Sequence, residues 1–200
     1  MAEVVSWLDQ GDLDAHVVVR AAMAHLHVVS VHPFRDGNGR VSRIVQSLVL
    51  ARDGLLSPEF ASIEEHLGEH TPAYYEQLQR AHGSTYDAGR DAGEWVAFCV
   101  TAHLDQARRR LAQVRQAADR WERLERLAAE RGWPDRFAIG LEQALFDACD
   151  RTGYTREADV SAATAGSDLR RMVEAGLLVQ TGQGPATRYA PSDALRAAVA

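Results

Sequence analysis

The sequence predicts a mainly α-helical protein: a helical bundle followed by a small module in the winged helix-turn-helix order, with a β-hairpin as its wing. Three observations predict it. Apolar residues recur at helical spacing over Val17 to Val31, Arg40 to Ala51 and Glu94 to about Arg131. Glycine and proline stand between these runs, at Gly11, Gly54, residues 83–93 and Gly132-Trp133-Pro134. Strand-type signal is confined to residues 177–191, LLVQTGQGPATRYAP, which read as two short strands about a Gly-Gln-Gly turn.

Taken in order, residues 3–9 (EVVSWLD) form the tail of a helix with Val4, Trp7 and Leu8 on one face, stopped at Gly11-Asp12. Asp14 is placed to cap the next segment, His16 to Val31, which is apolar on most faces and uncharged apart from Arg20. Such a helix belongs at the centre of a bundle. His25 and His27 within it read as packed or hydrogen-bonded core residues, because no third ligand stands at matching spacing. The helix from Arg40 to Ala51 continues an apolar face through Ile44, Leu48 and Val49 and stops at Asp53-Gly54. Ser57-Pro58 opens a weaker segment with Ile63 and Leu67 as core contacts, and Thr71-Pro72 starts the helix AYYEQLQRAH. Residues 83–93 are a loop by their glycine and aspartate content.

From Glu94 to about Arg131 runs one long charged helix. Val100, Leu104, Ala107, Leu111, Val114, Ala118 and Trp121 alternate four and three apart along it, a heptad seam that suits either the chain's own bundle or a second copy, a homodimer. Arg108-Arg109-Arg110 is a solvated face. Gly132-Trp133-Pro134 breaks the helix and marks the domain boundary, with residues 1–131 as the bundle and 135–200 as the module. In the module Leu141, Ala144, Leu145 and Ala148 face inward from a first helix, and Tyr154 to Asp159 is a helical turn. Ser161 caps a third helix that runs through Ala175, turns Leu169, Met172 and Val173 inward and ends on Gly176.

Composition bounds the function. A chain of 200 residues with 46% hydrophobic content builds one or two small cores. Cys99 and Cys149 have no Cys or His at ligand spacing, so they read as reduced thiols and a structural zinc is not expected. The first residues hold no basic region followed by an apolar core, and no uncharged run approaches the roughly 18 residues of a spanning helix. The expectation is a cytoplasmic protein without a membrane partner. A formal net charge of −6 disfavours nonspecific nucleic-acid or anionic-membrane binding. Residues 137–200 hold six arginines against eight acidic residues, so DNA binding, which rests on a basic surface, is disfavoured for the module. Arg170 and Arg171 on its third helix are the residues to test for it.

The stretch HPFRDGNGRVSR, His32 to Arg43, concentrates the chemistry. Gly37-Asn38-Gly39 is a run of backbone N–H groups able to form an anion-binding concavity, followed at once by a helix N-terminus with its positive dipole end. Arg40 and Arg43, at i and i+3, share one helix face, where both guanidiniums reach one polyphosphate. Asp36 is a hard oxygen ligand of the kind magnesium takes beside substrate phosphates. His32 suits removal of a proton from an attacking hydroxyl. Each residue taken singly has a plain structural use: a histidine at a helix end, a glycine turn, an aspartate cap, a solvated arginine face. No one packing requirement asks for all of them in this order.

On these residues the chain resembles the Fic family, whose signature His-x-Phe-x-Asp/Glu-Gly-Asn-Gly-Arg-x-x-Arg it matches at every fixed position. The resemblance implies transfer of AMP from ATP to a hydroxyl of a target protein, on a Ser, Thr or Tyr. It implies His32 as general base, Asp36 as magnesium ligand, and Gly37, Asn38 and Gly39 as the cradle for the α- and β-phosphates. Arg40 and Arg43 would hold the β- and γ-phosphates, and Phe34 would anchor the loop. Gly39 stands where the related death-on-curing toxins, which phosphorylate, carry lysine. Tyr74 and Tyr75 correspond to a pair that lines the nucleotide pocket in the family, while His82 stands where some relatives have asparagine. Two family features have no counterpart in these letters: the target-aligning flap hairpin upstream of the first helix, and the inhibitory Ser/Thr-x-x-x-Glu-Gly/Asn pattern. Residues 135–200 resemble the winged-helix modules that follow Fic domains, particularly in GSDLRRMVEAGLL. Alternative readings are a catalytically silent nucleotide-binding or interaction module, and a winged-helix DNA-binding regulator.

Overall fold

The structure, a computed structural model, describes residues 1–55, 62–83, 87, 89–147 and 149–200. Ser57, Pro58, Ala148 and residues 84–86 and 88 of the expected loop lie outside the described residues. Two compact units emerge, Met1–Ala112 and Gln113–Ala200. Among the described residues no helix is long and apolar enough to cross a membrane.

The described elements of the first unit are all helices: α1 (Ala2–Gln10), α2 (Val17–Val31), α3 (Asn38–Arg52), α4 (Glu64–Glu69), α5 (Thr71–His82) and the first part of α6 (Gly93–Ala129). Helix α2 buries two faces. Ala22 and Leu26 join Ile63, Leu67, Tyr74, Leu78, Trp95, Cys99 and Ala102 in one core cluster, and Val17, Ala21 and Ala24 pack with Val49 and Leu50 of α3 in another. Its fully buried alanines let neighbouring helices approach closely. Trp95 fills the space between them and donates its indole N–H to the Ala22 carbonyl at 2.8 Å.

Several expectations need correction. Asp14 does not cap α2. The turn from Asp12 to Ala15 leaves His16 as the last residue before the helix, and its Nδ1 accepts from the Val18 N–H at 3.3 Å. Ile44 and Leu48 are 63% and 55% exposed, because the inward face of α3 is Ser42, Gln46, Val49 and Leu50. Half of that face is polar, so a count of apolar residues points the helix the wrong way. Along the heptad seam Val100, Leu104, Leu111 and Val114 lie between 41% and 52% accessible, while Trp121 packs against the core of the second unit. In the first unit α6 instead buries Trp95, Cys99, Ala102 and Gln106.

The second unit gathers the last part of α6 with α7 (Arg136–Phe146), α8 (Arg151–Glu157), α9 (Ala162–Glu174), a hairpin of β1 (Leu178–Thr181) and β2 (Arg188–Pro191), and α10 (Asp193–Val199). The strands pair antiparallel with Leu178 opposite Pro191 and Thr181 opposite Arg188. Ser161 caps α9 by accepting from the Thr164 N–H, and Gly176 follows its end at φ +72°, a left-handed position that glycine takes without strain. The core packs Leu124 and Ala128 of α6 with Phe137, Leu141, Tyr154, Leu169, Met172 and Leu195. Gly140 lets this happen: a Cβ there would meet Met172 at 2.9 Å and Tyr154 at 3.0 Å. The terminal helix α10, absent from the sequence reading, contributes Leu195. Arg171 lays its guanidinium over Phe137 at 5.1 Å and Trp133 at 5.7 Å, while Arg170 is exposed. Cys99 and Cys149 are free and buried, and burial pushes each thiol up to about 12, which leaves them unreactive.

Candidate functional site

The site starts where α2 ends. His32 is its C-cap in the left-handed conformation, φ +50°, and its N–H closes on the Val28 carbonyl at 3.1 Å. A residue with a Cβ pays a strain there, tolerated by histidine better than by most, and such strain concentrates at functional positions. The turn it makes sends the chain out of α2 and leaves the imidazole exposed on the rim of a groove.

Asn38 then locks the loop. Its Oδ1 accepts from the Phe34 N–H at 2.9 Å and its Nδ2 donates to the Phe34 carbonyl at 2.6 Å, from a position only 4% exposed. An amide is needed because the side chain must accept and donate at once. The Phe34 ring is 47% exposed, so the backbone of Phe34, rather than its ring, anchors the loop.

Gly37 is the N-cap of α3 at φ +84°, and its N–H donates to Asp36 Oδ1 at 2.7 Å. That N–H is occupied. The groups left for an anion are the N–H donors of Asn38, Gly39 and Arg40 in the first turn of α3, which have no acceptor four residues back in the helix. The free N–H groups thus begin one residue later than the expected Gly37-Asn38-Gly39. A Cβ added at Gly39 would meet nothing within 4 Å, so the backbone there stands open to a ligand.

The groove is about 370 Å³ and brings together His32, Asp36, Gly37, Asn38, Gly39, Arg40, Arg43, Tyr74 and Tyr75, all the residues assigned from sequence, along with Val29, Arg35 and Leu78. Arg40 pairs with Asp36 at 3.5 Å, both side chains mostly in water, a contact of little energy. Arg43 is half-buried, and among the described residues no hydrogen bond or ion pair is seen for it. The Asp36 carboxylate is almost fully exposed, and among the described residues its Oδ2 is held only by the long Arg40 contact. One hard oxygen beside free N–H groups fits a magnesium ion that would complete its shell with phosphate oxygens and water.

The two tyrosines differ. Tyr75 is 63% exposed along the groove, whereas Tyr74 is buried and its hydroxyl lies 3.0 Å from His25 Nε2. Burial raises the Tyr74 phenol to about 12, against the opposing pull of the Arg43 charge. Arg35 and the left-handed His32 escaped the sequence reading. Arg35 occupies a variable position of the signature, and a backbone conformation leaves no letter of its own. A larger hollow of about 530 Å³ opens in the second unit beside Glu142, Phe146 and Asp150. It holds none of the residues given a binding or catalytic role from sequence, so size does not identify the site.

The stretch that builds the groove is similar in sequence to known proteins. Residues 1–50, which include the whole His32 to Arg43 stretch, match the Fic/DOC family model. The chain is 44% identical over 55 residues to the protein adenylyltransferase fic-1 of Caenorhabditis elegans, covering 27% of this chain and 11% of that protein. It is 36% identical over 101 residues to the protein adenylyltransferase Fic of Aedes aegypti, covering 50% of this chain and 18% of that protein. A probable protein adenylyltransferase of Aquifex aeolicus is 36% identical over 64 residues, covering 32% of this chain and 20% of that protein. The chain therefore spans a fifth or less of the length of these relatives.

Proposed function

We propose, on the match of residues 1–50 to the Fic/DOC family model, that this chain transfers AMP from magnesium-bound ATP to a hydroxyl side chain of a target protein. The observation that carries the reading is the meeting of the His32 imidazole, the open N–H groups at the start of α3 and Arg43, which has no partner among the described residues, in one groove. An imidazole on the rim suits a proton acceptor. The α3 N-terminus and Arg43 suit a polyphosphate.

In this reading the target oxygen, from Ser, Thr or Tyr, forms a bond to the α-phosphorus. The bond from that phosphorus to the oxygen bridging to the β-phosphate breaks, and pyrophosphate leaves with the electron pair. The hydroxyl proton passes to His32. The N–H groups of Asn38, Gly39 and Arg40 hold the phosphate oxygens as charge builds on them, Arg40 and Arg43 hold the distal phosphates, and Tyr74 and Tyr75 line the nucleoside side. Asp36 would hold magnesium, which when bound supplies charge neutralisation at the leaving pyrophosphate. The reaction asks for positioning and charge compensation more than for covalent chemistry.

The reading extends to a cytoplasmic location and to a winged-helix module over residues 135–200, which favours protein contacts over DNA given its acidic balance. Pairing of two copies along the exposed seam of α6 is the oligomer it allows. The test is incubation with magnesium and ATP labelled at the α- or the γ-phosphate, in the presence of candidate target proteins. Transfer of α-label to protein, lost in His32→Ala, is the expected result. Label transfer that persists in His32→Ala overturns the role of His32. ATP binding that weakens in Arg43→Ala without any transfer supports the silent nucleotide-binding module instead.

A further inference from the structure

Beneath the groove runs a buried relay of four side chains. The Tyr74 hydroxyl lies 3.0 Å from His25 Nε2, His25 Nδ1 lies 2.7 Å from Gln46 Oε1, and Gln46 Nε2 lies 3.1 Å from His103 Nε2. His25, Gln46 and Tyr74 are almost completely inaccessible to water. With the amide oriented this way every proton is assigned. The Gln46 oxygen accepts from His25 Nδ1–H, Tyr74 donates to His25 Nε2, and the Gln46 NH₂ donates to His103. Both imidazoles are neutral at pH 7: burial lowers each to about 4.

Each member belongs to a different helix, α5, α2, α3 and α6. Gln46 stands one turn beyond Arg43 on α3, His25 stands two turns before His32 on α2, and Tyr74 is itself part of the groove wall. Stability alone does not call for this chain, since apolar side chains of similar volume hold a core at least as well. A directional relay does something apolar packing does not: it admits one register of α3 against α2 and α5, because any slip strands a buried donor or acceptor.

We propose that His25 and Gln46 are positioning residues, which hold Arg43 and the Tyr74 ring at the separation that a nucleoside triphosphate requires. The proposal rests on the nucleotide reading of the groove. Gln46→Met keeps the volume and breaks both links, and Tyr74→Phe keeps the ring and breaks one. Each is compared with wild type for thermal unfolding, for Mg-ATP affinity by calorimetry, and for KM and kcat of AMP transfer. The expected result is a cooperative transition in both variants, with Kd and KM for Mg-ATP raised about tenfold in Gln46→Met and about fivefold in Tyr74→Phe, and kcat changed less than KM. A purely structural role would lower the Tm and leave the affinity of the folded protein alone.

Wild type that fails to bind Mg-ATP overturns the nucleotide reading and this inference with it. Wild type that binds, and weakens in Arg43→Ala, while the folded relay variants bind within twofold of it, overturns the inference alone. Should neither variant fold, the wild-type protein decides: the His25 ring nitrogens, followed by NMR, are expected to shift on addition of Mg-ATP, and unmoved signals sink the proposal.

Discussion

Arg136, Asp168 and Tyr154 in the second unit, and His25, Gln46 and Tyr74 in the first, are both polar groups drawn into a core, and they are completed differently. Asp168 accepts from Arg136 Nε at 2.7 Å and Nη2 at 3.3 Å, and the Tyr154 hydroxyl stands 3.2 Å from its Oδ2. The trio closes on itself across α7, α8 and α9. Burial, and then the Asp168 charge, push the Tyr154 phenol upward, away from ionisation. In the first unit the buried relay carries no formal charge, and the charge beside it, Arg43, lies in the groove without a protein partner among the described residues. A charge cancelled within its own unit serves architecture. One left open beside unpaired N–H groups is available to a ligand.

The largest expected effect belongs to the closed trio. Asp168→Ala strands a partly buried guanidinium and leaves the Tyr154 hydroxyl only the Arg136 carbonyl at 3.2 Å, and is expected to cost about 3 kcal/mol of unfolding free energy in a denaturant titration. A loss below about 1 kcal/mol breaks the contrast between the two assemblies.

Acid comes next and acts on the relay. His25 is held near 4, by burial first, with the Gln46 hydrogen bond opposing and the Arg43 charge reinforcing, against an ordinary value of 6.5. The unfolded chain therefore takes up a proton before the folded one does. Stability from the neutral ring is complete above pH 6.5, shrinks as pH falls toward 4 and stays lost below that, a change on the order of 3 kcal/mol. His103 shifts in the same direction through burial. Circular dichroism of unfolding at pH 7, 5.5 and 4.5 checks the slope, and His25→Phe is expected to flatten it.

A third measurement separates binding from folding. Arg43→Ala is expected to change stability by less than about 0.5 kcal/mol and to weaken Mg-ATP binding by about 1.5–3 kcal/mol, tenfold or more, as loss of a charge-assisted hydrogen bond does. Equal losses in both would make Arg43 another structural cation. The smallest effect is expected on the α6 seam. Leu104→Ser should alter stability by no more than about 0.5 kcal/mol, because that side chain is already half in water. A loss at Leu104 that grows with protein concentration would mark the seam as a contact between copies.

Much of this was legible in the letters. The apolar run of α2, the caps at Ser161 and Gly176, and the grouping of His32 to Arg43 follow from local chemistry that leaves local marks, whereas Tyr74 and Tyr75 were joined to them only through the family resemblance. The inward face of α3 was not legible, because Ser42 and Gln46 are buried by partners that lie far away in sequence. Nor was the exposed seam of α6: heptad spacing says that residues share a face, and says nothing of whether a neighbour covers it.

By itself the order of amino acids determined which groups would meet at the end of α2 and the start of α3, since twelve consecutive residues hold the acid, the amides, the cations and the imidazole within a turn or two of one another. Tertiary structure alone decided which amides stayed free, once Asp36 took the Gly37 N–H, and which tyrosine kept its hydroxyl, once His25 took that of Tyr74. The reason is physical. Helix formation and capping depend on neighbours along the chain, whereas the satisfaction of a buried donor or acceptor depends on groups that only the folded core brings within 3 Å.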